Sequence, residues 1–233
     1  AVGYSDNIPG GFAQYMLLSE SLIVPVPSGC SADLAALTEP MAVGLHAVNN
    51  AQLSTKEAIL IIGAGPVGLA IITALKQMNT GPIIVSDFSP GRRKLAEAIG
   101  ADIVIDPSDT DPYREPALRQ REGVIIFECV GIPGMIDQIF LGAPKNARIM
   151  IVGVCLQRDY IRPLIAINKE LSLHFLLGWS MEEFTQSLRY IAEGKFDVTP
   201  LITGRTSLDG VASTFESLAS PNNQAKVLVK PWD

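Results

Sequence analysis

The sequence predicts an α/β fold built on a doubly wound parallel sheet of six strands. Short apolar runs alternate with helical segments, and such alternation is typical of parallel strands joined by right-handed crossovers. The apolar runs predict strands at 58–62, 83–86, 103–105, 124–128, 148–153 and 171–177. Helices are predicted between them at 66–79, 91–99, about 112–121 and 133–142, with Gly81 and Gly100 as helix C-terminal caps.

A glycine-rich turn follows the first predicted strand. The apolar run AILII leads directly into Gly63-Ala64-Gly65-Pro66-Val67-Gly68, which opens the next helix. In this pattern Gly63 permits the tight turn, Gly65 lets the backbone approach phosphates, and Gly68 lets helix and strand pack closely. Free N–H groups at the helix start then face the negative charge of a pyrophosphate. The turn therefore predicts a dinucleotide site.

Asp87 supports this interpretation from the end of the second predicted strand. A carboxylate at this point of the fold can accept both hydroxyls of an adenosine ribose. The same carboxylate would repel a 2′-phosphate, so NAD is predicted in preference to NADP. Arg92 and Arg93 temper that preference, because a guanidinium is a usual partner of phosphate.

Composition excludes several other functions. The chain has 233 residues and a net charge of −6, which argues against a nucleic-acid partner. Residues 58–75 carry no charge and are long enough to span a membrane, but their three glycines and Pro66 favour a buried strand and helix. No membrane partner is expected. The first eleven residues do not resemble a secretion signal.

The cysteines and histidines carry no clear chemistry. Cys30, Cys129 and Cys155 are odd in number and widely spaced, so reduced thiols in the cytoplasm are predicted. His46 lies in a predicted helix and His174 in the last predicted strand, and both are interpreted as structural.

The flanks predict a partial second domain. Residues 10–18 alternate loosely like a strand, and Thr38 is a candidate cap for a helix through 41–49. After Gly178 the pattern changes, with helices predicted at 181–193 and 208–219 and a strand at 225–229. The predicted division is 1–43, 44–178 for the dinucleotide domain, and 179–233, with the two outer segments packed together.

At this point the chain resembles the zinc-type medium-chain alcohol and polyol dehydrogenases, in particular the sorbitol and threonine dehydrogenase branch. The segments that carry the resemblance are GGFAQYMLL (10–18), TEPMAVGLHAV (38–48), the GAGPVG turn, SDFSPGRRKLAEAIGAD (86–102), FECVG (127–131), RIMIVGV (148–154) and NKELSL (168–173). The resemblance implies hydride transfer between a secondary alcohol and NAD, with zinc in the intact enzyme. It also implies that the outer segments are remnants of a mostly β, GroES-like catalytic domain. That domain's zinc-ligating portion would precede Ala1, so this chain alone is not expected to bind zinc.

The resemblance assigns further site residues. Val67 would present its backbone to the pyrophosphate, Arg92 would lie over the adenine, and Arg93 would be solvated on its helix. The segments that would contact the ribose and nicotinamide end are Val130 and Gly131, then Val152, Gly153 and Val154, then Leu176 and Leu177. Glu39 matches a residue beside the zinc, or is simply a carboxylate favoured by the helix dipole. No catalytic residue is assigned.

Three functions stay open on the sequence. The first is an NAD-dependent alcohol or polyol dehydrogenase, and the second is an NAD-binding module that is inactive because zinc ligands are missing. The third is a zinc-free quinone or enoyl reductase relative, against which the Glu39-Pro40 helix start argues by analogy. The strand at 171–177 is too apolar for a bare sheet edge, which predicts a homodimer or homotetramer through it.

Overall fold

A computed structural model describes residues 10–218 and 224–233 of the chain. Its helices are α1 (Ala32–Ala35), α2 (Thr38–Ala51), α3 (Pro66–Leu75), α4 (Pro90–Ile99), α5 (Pro116–Arg119), α6 (Met135–Gly142), α7 (Pro163–Lys169), α8 (Met181–Ala192) and α9 (Val211–Leu218). Its strands are β1 (Glu57–Ile62), β2 (Ile83–Ser86), β3 (Ile103–Ile105), β4 (Gly123–Glu128), β5 (Arg148–Ile151), β6 (Ser172–Phe175), β7 (Ile202–Ser207) and β8 (Lys226–Lys230). Short 3₁₀ turns occupy Glu20–Leu22, Pro112–Arg114 and Thr199–Leu201.

Strands β1 to β6 form one parallel sheet in the order β3-β2-β1-β4-β5-β6. The chain builds outward from β1 through β2 to β3, then returns to the other side of β1 for β4, β5 and β6. Ligands bind in such sheets at the carboxyl ends of the strands, where the order reverses. The predicted six-stranded, doubly wound sheet is confirmed, and its crevice lies between the ends of β1 and β4.

The core explains why the uncharged stretch 58–75 is so apolar. Strand β1 is buried on both faces, because successive side chains point to opposite sides of the sheet. Ile59 and Ile61 pack with α2 and α3, while Leu60 and Ile62 pack with α6. In the part of the chain that the structure describes, every helix is too short or too polar to cross a membrane.

Two predicted helix boundaries need correction. Helix α3 ends at Leu75 and not at residue 79, so Gly81 is no helix cap. Gly81 instead permits close approach to the start of β1, because a Cβ there would lie 1.9 Å from the Glu57 carbonyl oxygen. Thr38 does not cap α2 from outside; it is the first helical residue, and its hydroxyl donates to the Ala35 carbonyl at 2.7 Å. Gly100, at φ +116°, does end α4 as predicted.

Other predicted elements are shorter than expected or wrong. Residues 10–18 form no strand. The predicted helix at 112–121 is a 3₁₀ turn followed by the single turn of α5. Helix α7 and strand β7 were not predicted; β7 pairs in parallel with β8 in a separate two-stranded sheet. The predicted helix at 208–219 is α9, and residue 219 lies outside the described residues.

Candidate functional site

The glycine turn combines a closed corner with an open one. Gly63 has φ +96°, and a Cβ on Gly68 would lie 2.0 Å from the Gly63 carbonyl oxygen. This contact packs the start of α3 tightly against the end of β1. A Cβ on Gly65, by contrast, would meet no atom within 4 Å among the described residues. The turn is therefore closely packed at Gly68, where the helix meets the strand, and open at Gly65, where a phosphate could approach.

The start of α3 supplies the donors for an anion at that open corner. Pro66 is the first helical residue and has no N–H, while Leu69 makes the first backbone bond, to the Gly65 carbonyl at 2.9 Å. The N–H groups of Val67 and Gly68 belong to the first turn, which an α-helix leaves without intrahelical partners. Together with the positive end of the helix dipole, they can hold a pyrophosphate.

Asp87 connects the glycine turn to the neighbouring loop. Its side chain is only 9% exposed. One carboxylate oxygen accepts the Ala64 N–H at 2.8 Å, and the other accepts the Ser89 N–H at 2.7 Å. A carboxylate has about four lone-pair positions, so two acceptor positions remain. The geometry fits a carboxylate that is fixed by the backbone and still accepts two ribose hydroxyls.

A cleft of about 800 Å³ opens beside Asp87. It reaches from Gly63 at the end of β1 to the loop that follows β3, and Arg92 and Val130 line it. Sequence reasoning missed the β3 loop, residues 107–113, with Asp109 and Tyr113. The signal was its position directly after β3, at the same carboxyl edge of the sheet. Tyr113 packs against α6, where a Cβ on Gly142 would lie 2.1 Å from its ring.

The two arginines of α4 have different roles. Arg92 lies with a guanidinium nitrogen 4.0 Å from the Asp87 carboxylate and lines the cleft. Arg93 turns the other way and donates to the carbonyls of Asp87 and Phe88 at 2.7 and 2.8 Å. It also pairs with Asp106 at 2.7 Å. The expectation that Arg93 is solvated is wrong, because its side chain is only 18% exposed.

Glu128 organises the turn after β4, and sequence reasoning missed it. The side chain is 1% exposed, and one carboxylate oxygen accepts the N–H groups of Val130 and Gly131 at 2.7 and 2.8 Å. A charged residue that ends an otherwise apolar strand was the available signal. Burial raises the pKa of the neighbouring Cys129 thiol well above its usual range, which suits an inert side chain and not a nucleophile.

The turn after β4 meets the turn after β5. Val152 and Gly153 both donate their N–H to the Glu128 carbonyl at 2.9 Å. A Cβ on Gly153 would lie 2.4 Å from the Gly131 nitrogen, so these two glycines let the backbones touch. Val154, next in the chain, is 71% exposed. Of the three segments expected at the nicotinamide end, the first two, at 130–131 and 152–154, are therefore in direct contact.

The third segment follows β6. The Leu176 N–H donates to the Ile151 carbonyl at 3.0 Å, so this residue continues the pairing with β5. Leu177 is 89% exposed, and Gly178 turns the chain away with φ +66°. Leu176 and Leu177 therefore lie at the carboxyl edge of the sheet, one strand farther from the crevice than Gly153.

The described residues do not fit a zinc site. Glu39 is exposed in the first turn of α2 and accepts the Trp179 indole N–H at 3.2 Å. In the described ranges, no three side chains of His, Cys, Asp or Glu are grouped to hold a metal. His46 lies 2.8 Å from the Glu183 carboxylate, in the hydrogen-bonding role expected for it, and His174 is exposed on β6.

Comparison with known proteins identifies the family. A family model described as zinc-binding dehydrogenase matches residues 66–193, more than half of the chain. The chain belongs to this family. The matched range begins at α3 and runs to the end of α8, so it contains strands β2 to β6 and most of the candidate site, while β1, Gly63 and Gly65 lie just before it.

Individual relatives of the zinc-binding dehydrogenase family agree. The (R,R)-butanediol dehydrogenase of Bacillus subtilis (strain 168) is 33% identical over 225 residues, which are 95% of this chain and 64% of the relative. A crystal structure of 2R,3R-butanediol dehydrogenase from Bacillus subtilis matches with a TM-score of 0.84, covering 96% of this chain and 65% of that chain. A structure with bound NADP, described as a zinc-binding dehydrogenase from Sinorhizobium meliloti 1021, has 26% identity and a TM-score of 0.84, covering 96% of this chain and 66% of that one. The chain thus spans slightly less than two thirds of these relatives' length.

Proposed function

We propose that this chain is the cofactor-binding part of an NAD-dependent oxidoreductase that transfers hydride between a secondary alcohol, or polyol, and NAD. One observation carries the proposal: an open helix N-terminus at Gly65 and a backbone-fixed carboxylate at Asp87 share one crevice. This pairing fits both the pyrophosphate and the adenosine ribose of a dinucleotide. The dehydrogenase names of the relatives support the reaction type and argue against the quinone or enoyl reductase alternative.

In this proposal the chain's own residues bind and orient the cofactor. Asp87 accepts the ribose hydroxyls, the α3 N-terminus holds the pyrophosphate, and Arg92 lies against the adenine. The backbone of Val130 and Gly131 and of Val152 to Val154, together with Leu176 and Leu177, guides the nicotinamide end. When bound, NAD supplies the carbon that accepts the hydride, and rigid placement of that carbon is the protein's contribution to the rate.

NAD is proposed over NADP because of Asp87. The 2′-phosphate of NADP would lie against a carboxylate whose two oxygens are already fixed by backbone N–H groups. The NADP in the Sinorhizobium meliloti structure makes the choice worth measuring directly. Equilibrium titration of the protein with NADH and with NADPH, followed by nicotinamide fluorescence, tests this.

Substitution of Asp87 tests the site itself. Asp87→Ala should raise the Kd for NADH by about tenfold or more, because two charge-assisted hydrogen bonds to the ribose are lost. Asp109→Ala is the matched control, since it removes an equal charge from the lining of the same cleft. Equal Kd values for the wild type and Asp87→Ala would refute the assignment of this crevice.

A second candidate is an NAD-binding module without turnover, and the contact of Glu39 with Trp179 is the observation that favours it for this chain taken alone. Glu39 is engaged by Trp179, and the described residues group no zinc ligands around it. Zinc is proposed only for an intact enzyme, with Glu39 beside it. The two candidates separate when the protein's intact mass is measured and NAD reduction is assayed with a polyol panel after zinc addition. Turnover by a 25.0 kDa species would refute the module.

The outer segments are proposed to form one unit around the dinucleotide domain, with the division 1–43, 44–178 and 179–233. Long-range contacts support it. Asp33 forms ion pairs with Arg205 at 2.8 Å and with Lys230. Tyr15 and Trp232 stack edge to face at 5.2 Å. The three cysteines are free thiols, consistent with the cytoplasmic location that we also propose.

We propose further that β6 joins two copies of the chain. This strand is the edge of the six-stranded sheet, four residues long, and Phe175 on it is 71% exposed. An unpaired apolar edge favours pairing with another strand. Sedimentation at micromolar concentration should show a dimer or tetramer, and Phe175→Lys should shift it toward the monomer. A monomeric wild type would refute the proposal.

A further inference from the structure

The loop that follows β3 begins with a carboxylate, Asp106, that is held by several contacts. Asp106 directly follows β3, and its side chain is 23% exposed. One carboxylate oxygen accepts the Ser108 N–H at 2.9 Å, and the other pairs with Arg93 at 2.7 Å. Its backbone carbonyl also accepts the N–H groups of Asp109 and Thr110. Asp106 is thus a fixed anion at the base of a fixed loop.

Arg93 contacts Asp106 on one side and, on the other, the loop after β2 that contains Asp87 and Phe88. Its guanidinium donates to the carbonyl of Asp87, the residue proposed to bind the ribose, and to the carbonyl of the next residue, Phe88. A guanidinium within hydrogen-bonding distance of the Asp87 backbone is also close to the ribose position. Its contacts with the Asp87 and Phe88 carbonyls and with Asp106 occupy a guanidinium of the kind that suits a 2′-phosphate.

We propose that Asp106 is a specificity-determining residue, which favours NAD over NADP by holding Arg93 away from the ribose 2′ position. The inference rests on the proposed cofactor site and adds a second residue to Asp87. Asp106 acts through Arg93 and is therefore a positioning residue. Hydrogen bonds from Ser108 and the charge of Arg93 lower the pKa of Asp106 below its ordinary value of 3.8, so the anchor stays charged near neutral pH.

Arg92 does not share this role. It already faces the cleft, 4.0 Å from the Asp87 carboxylate, and is present beside either cofactor. Among the described residues of α4, the arginine that Asp106 could hold back from a cofactor is therefore Arg93, which donates to the carbonyls of Asp87 and Phe88.

A double-substitution cycle tests the proposal on the full chain, with NADH and NADPH as probes and Kd measured by fluorescence. Asp106→Asn keeps the shape of the side chain and removes its charge. The ratio of the NADPH Kd to the NADH Kd should then fall about tenfold, equivalent to about 1.4 kcal/mol. Asp106→Ala is a second variant with the same expected result. Arg93→Met should weaken binding of both cofactors similarly, because it loosens the loop without changing the ratio.

The double variant Asp106→Asn with Arg93→Met decides between mechanisms. If a released Arg93 binds the 2′-phosphate, the double variant should recover the wild-type ratio. If Asp106 merely repels the phosphate directly, the ratio stays low and the proposal is overturned. Asp109→Asn is the matched control, since it removes an equal charge from the same loop, and an effect as large as that of Asp106→Asn would also overturn the proposal.

Failure of the underlying function gives a different result. A wild-type chain that binds neither NADH nor NADPH refutes the cofactor site and this inference together. A wild type that binds NADH more tightly than NADPH, with the ratio unchanged by Asp106→Asn, refutes the inference alone.

Discussion

The two sides of the crevice are built in different ways. On the side assigned to adenosine, Asp87 and Arg93 bond to backbone groups of neighbouring loops, and a cleft of about 800 Å³ is already formed. On the side assigned to nicotinamide, one buried carboxylate, Glu128, holds the first turn. Beyond it, Val154 and Leu177 are largely exposed. The adenosine side is pre-organised, whereas the other side presents backbone and bare apolar side chains.

This difference separates affinity from chemistry. A pre-formed pocket binds without a large ordering cost, so the adenosine half of a dinucleotide can supply most of the binding free energy. Hydride transfer needs a dry, enclosed surface around the nicotinamide. The exposed side chains at the ends of β5 and β6 do not provide that enclosure by themselves. The two sides should therefore respond differently to substitution.

Gly68→Ala should have the largest effect, because it forces apart the start of α3 and the end of β1, on which both sides of the crevice depend. The added Cβ would lie 2.0 Å from the Gly63 carbonyl oxygen, a backbone atom that cannot rotate away. We expect the free energy of unfolding to fall by about 3 kcal/mol, measured from the midpoint of urea denaturation. An unchanged midpoint would show that α3 does not pack on the end of β1 as described.

Glu128→Ala should weaken the less organised side. Two N–H groups, of Val130 and Gly131, would lose their acceptor, which costs about 2 kcal/mol of stability. Glu128→Gln is the control, because a single oxygen accepts both bonds and the amide keeps an oxygen. Its loss should be less than half as large. Equal losses in the two variants would mean that the charge matters more than the acceptor.

The sequence predicted the pre-organised side better, for a physical reason. The glycine turn, the strands around it and Asp87 follow from local rules: tight turns need glycine, and buried parallel strands are apolar throughout. The doubly wound parallel sheet of six strands was predicted from the alternation of strands and helices, whereas the order of its strands was not predicted. These are causes that act within a few residues of each other in the chain.

Three features were missed, each for its own reason. Arg93 looked solvated on its helix, because its partner Asp106 lies beyond β3 and carries no motif. Glu128 was interpreted only as the end of a strand, because the hydrogen bonds that it accepts come from backbone N–H groups of the turn, which no side-chain pattern reveals. Strand β7, with the sequence ITGRTS, is only partly buried and lacks an apolar run, so its pattern gave no signal.

Gly65→Ala tests the open side of the glycine turn, where the pyrophosphate is proposed to bind. The residue has φ −73°, and its Cβ would enter open space, so stability should change by less than about 1 kcal/mol. The methyl group would occupy the space assigned to the pyrophosphate, and the Kd for NADH should rise about tenfold. Fluorescence titration and urea denaturation of the same sample measure both quantities. Loss of stability without loss of binding would reverse the assignment of Gly65 and Gly68.

The smallest effect is expected at the amino edge of the sheet, where the Glu57 carboxylate, like that of Asp87, is held by a backbone N–H and an arginine. One Glu57 oxygen pairs with Arg148 at 2.6 Å, and the other accepts the Ser54 N–H at 2.9 Å. Burial raises the pKa of Glu57, but the hydrogen bonds from Arg148 and Ser54 outweigh it, so the pKa lies below its ordinary value of 4.5. The contribution to stability is complete above pH 4.5 and is lost as the pH falls through the lowered pKa of the folded state.

Glu57→Gln should therefore flatten the decline of stability below pH 4.5 and leave NADH binding at neutral pH unchanged. Glu122→Gln is the matched control, because Glu122 pairs with Lys56 at the surface, with both side chains at least 66% exposed. Urea midpoints across the acid range measure the slope. A slope that changes as much in the control as in Glu57→Gln would mean that net charge, and not this partly buried pair, sets the acid response. A loss of NADH binding in Glu57→Gln would mean that the amino edge of the sheet is energetically coupled to the crevice at its carboxyl edge.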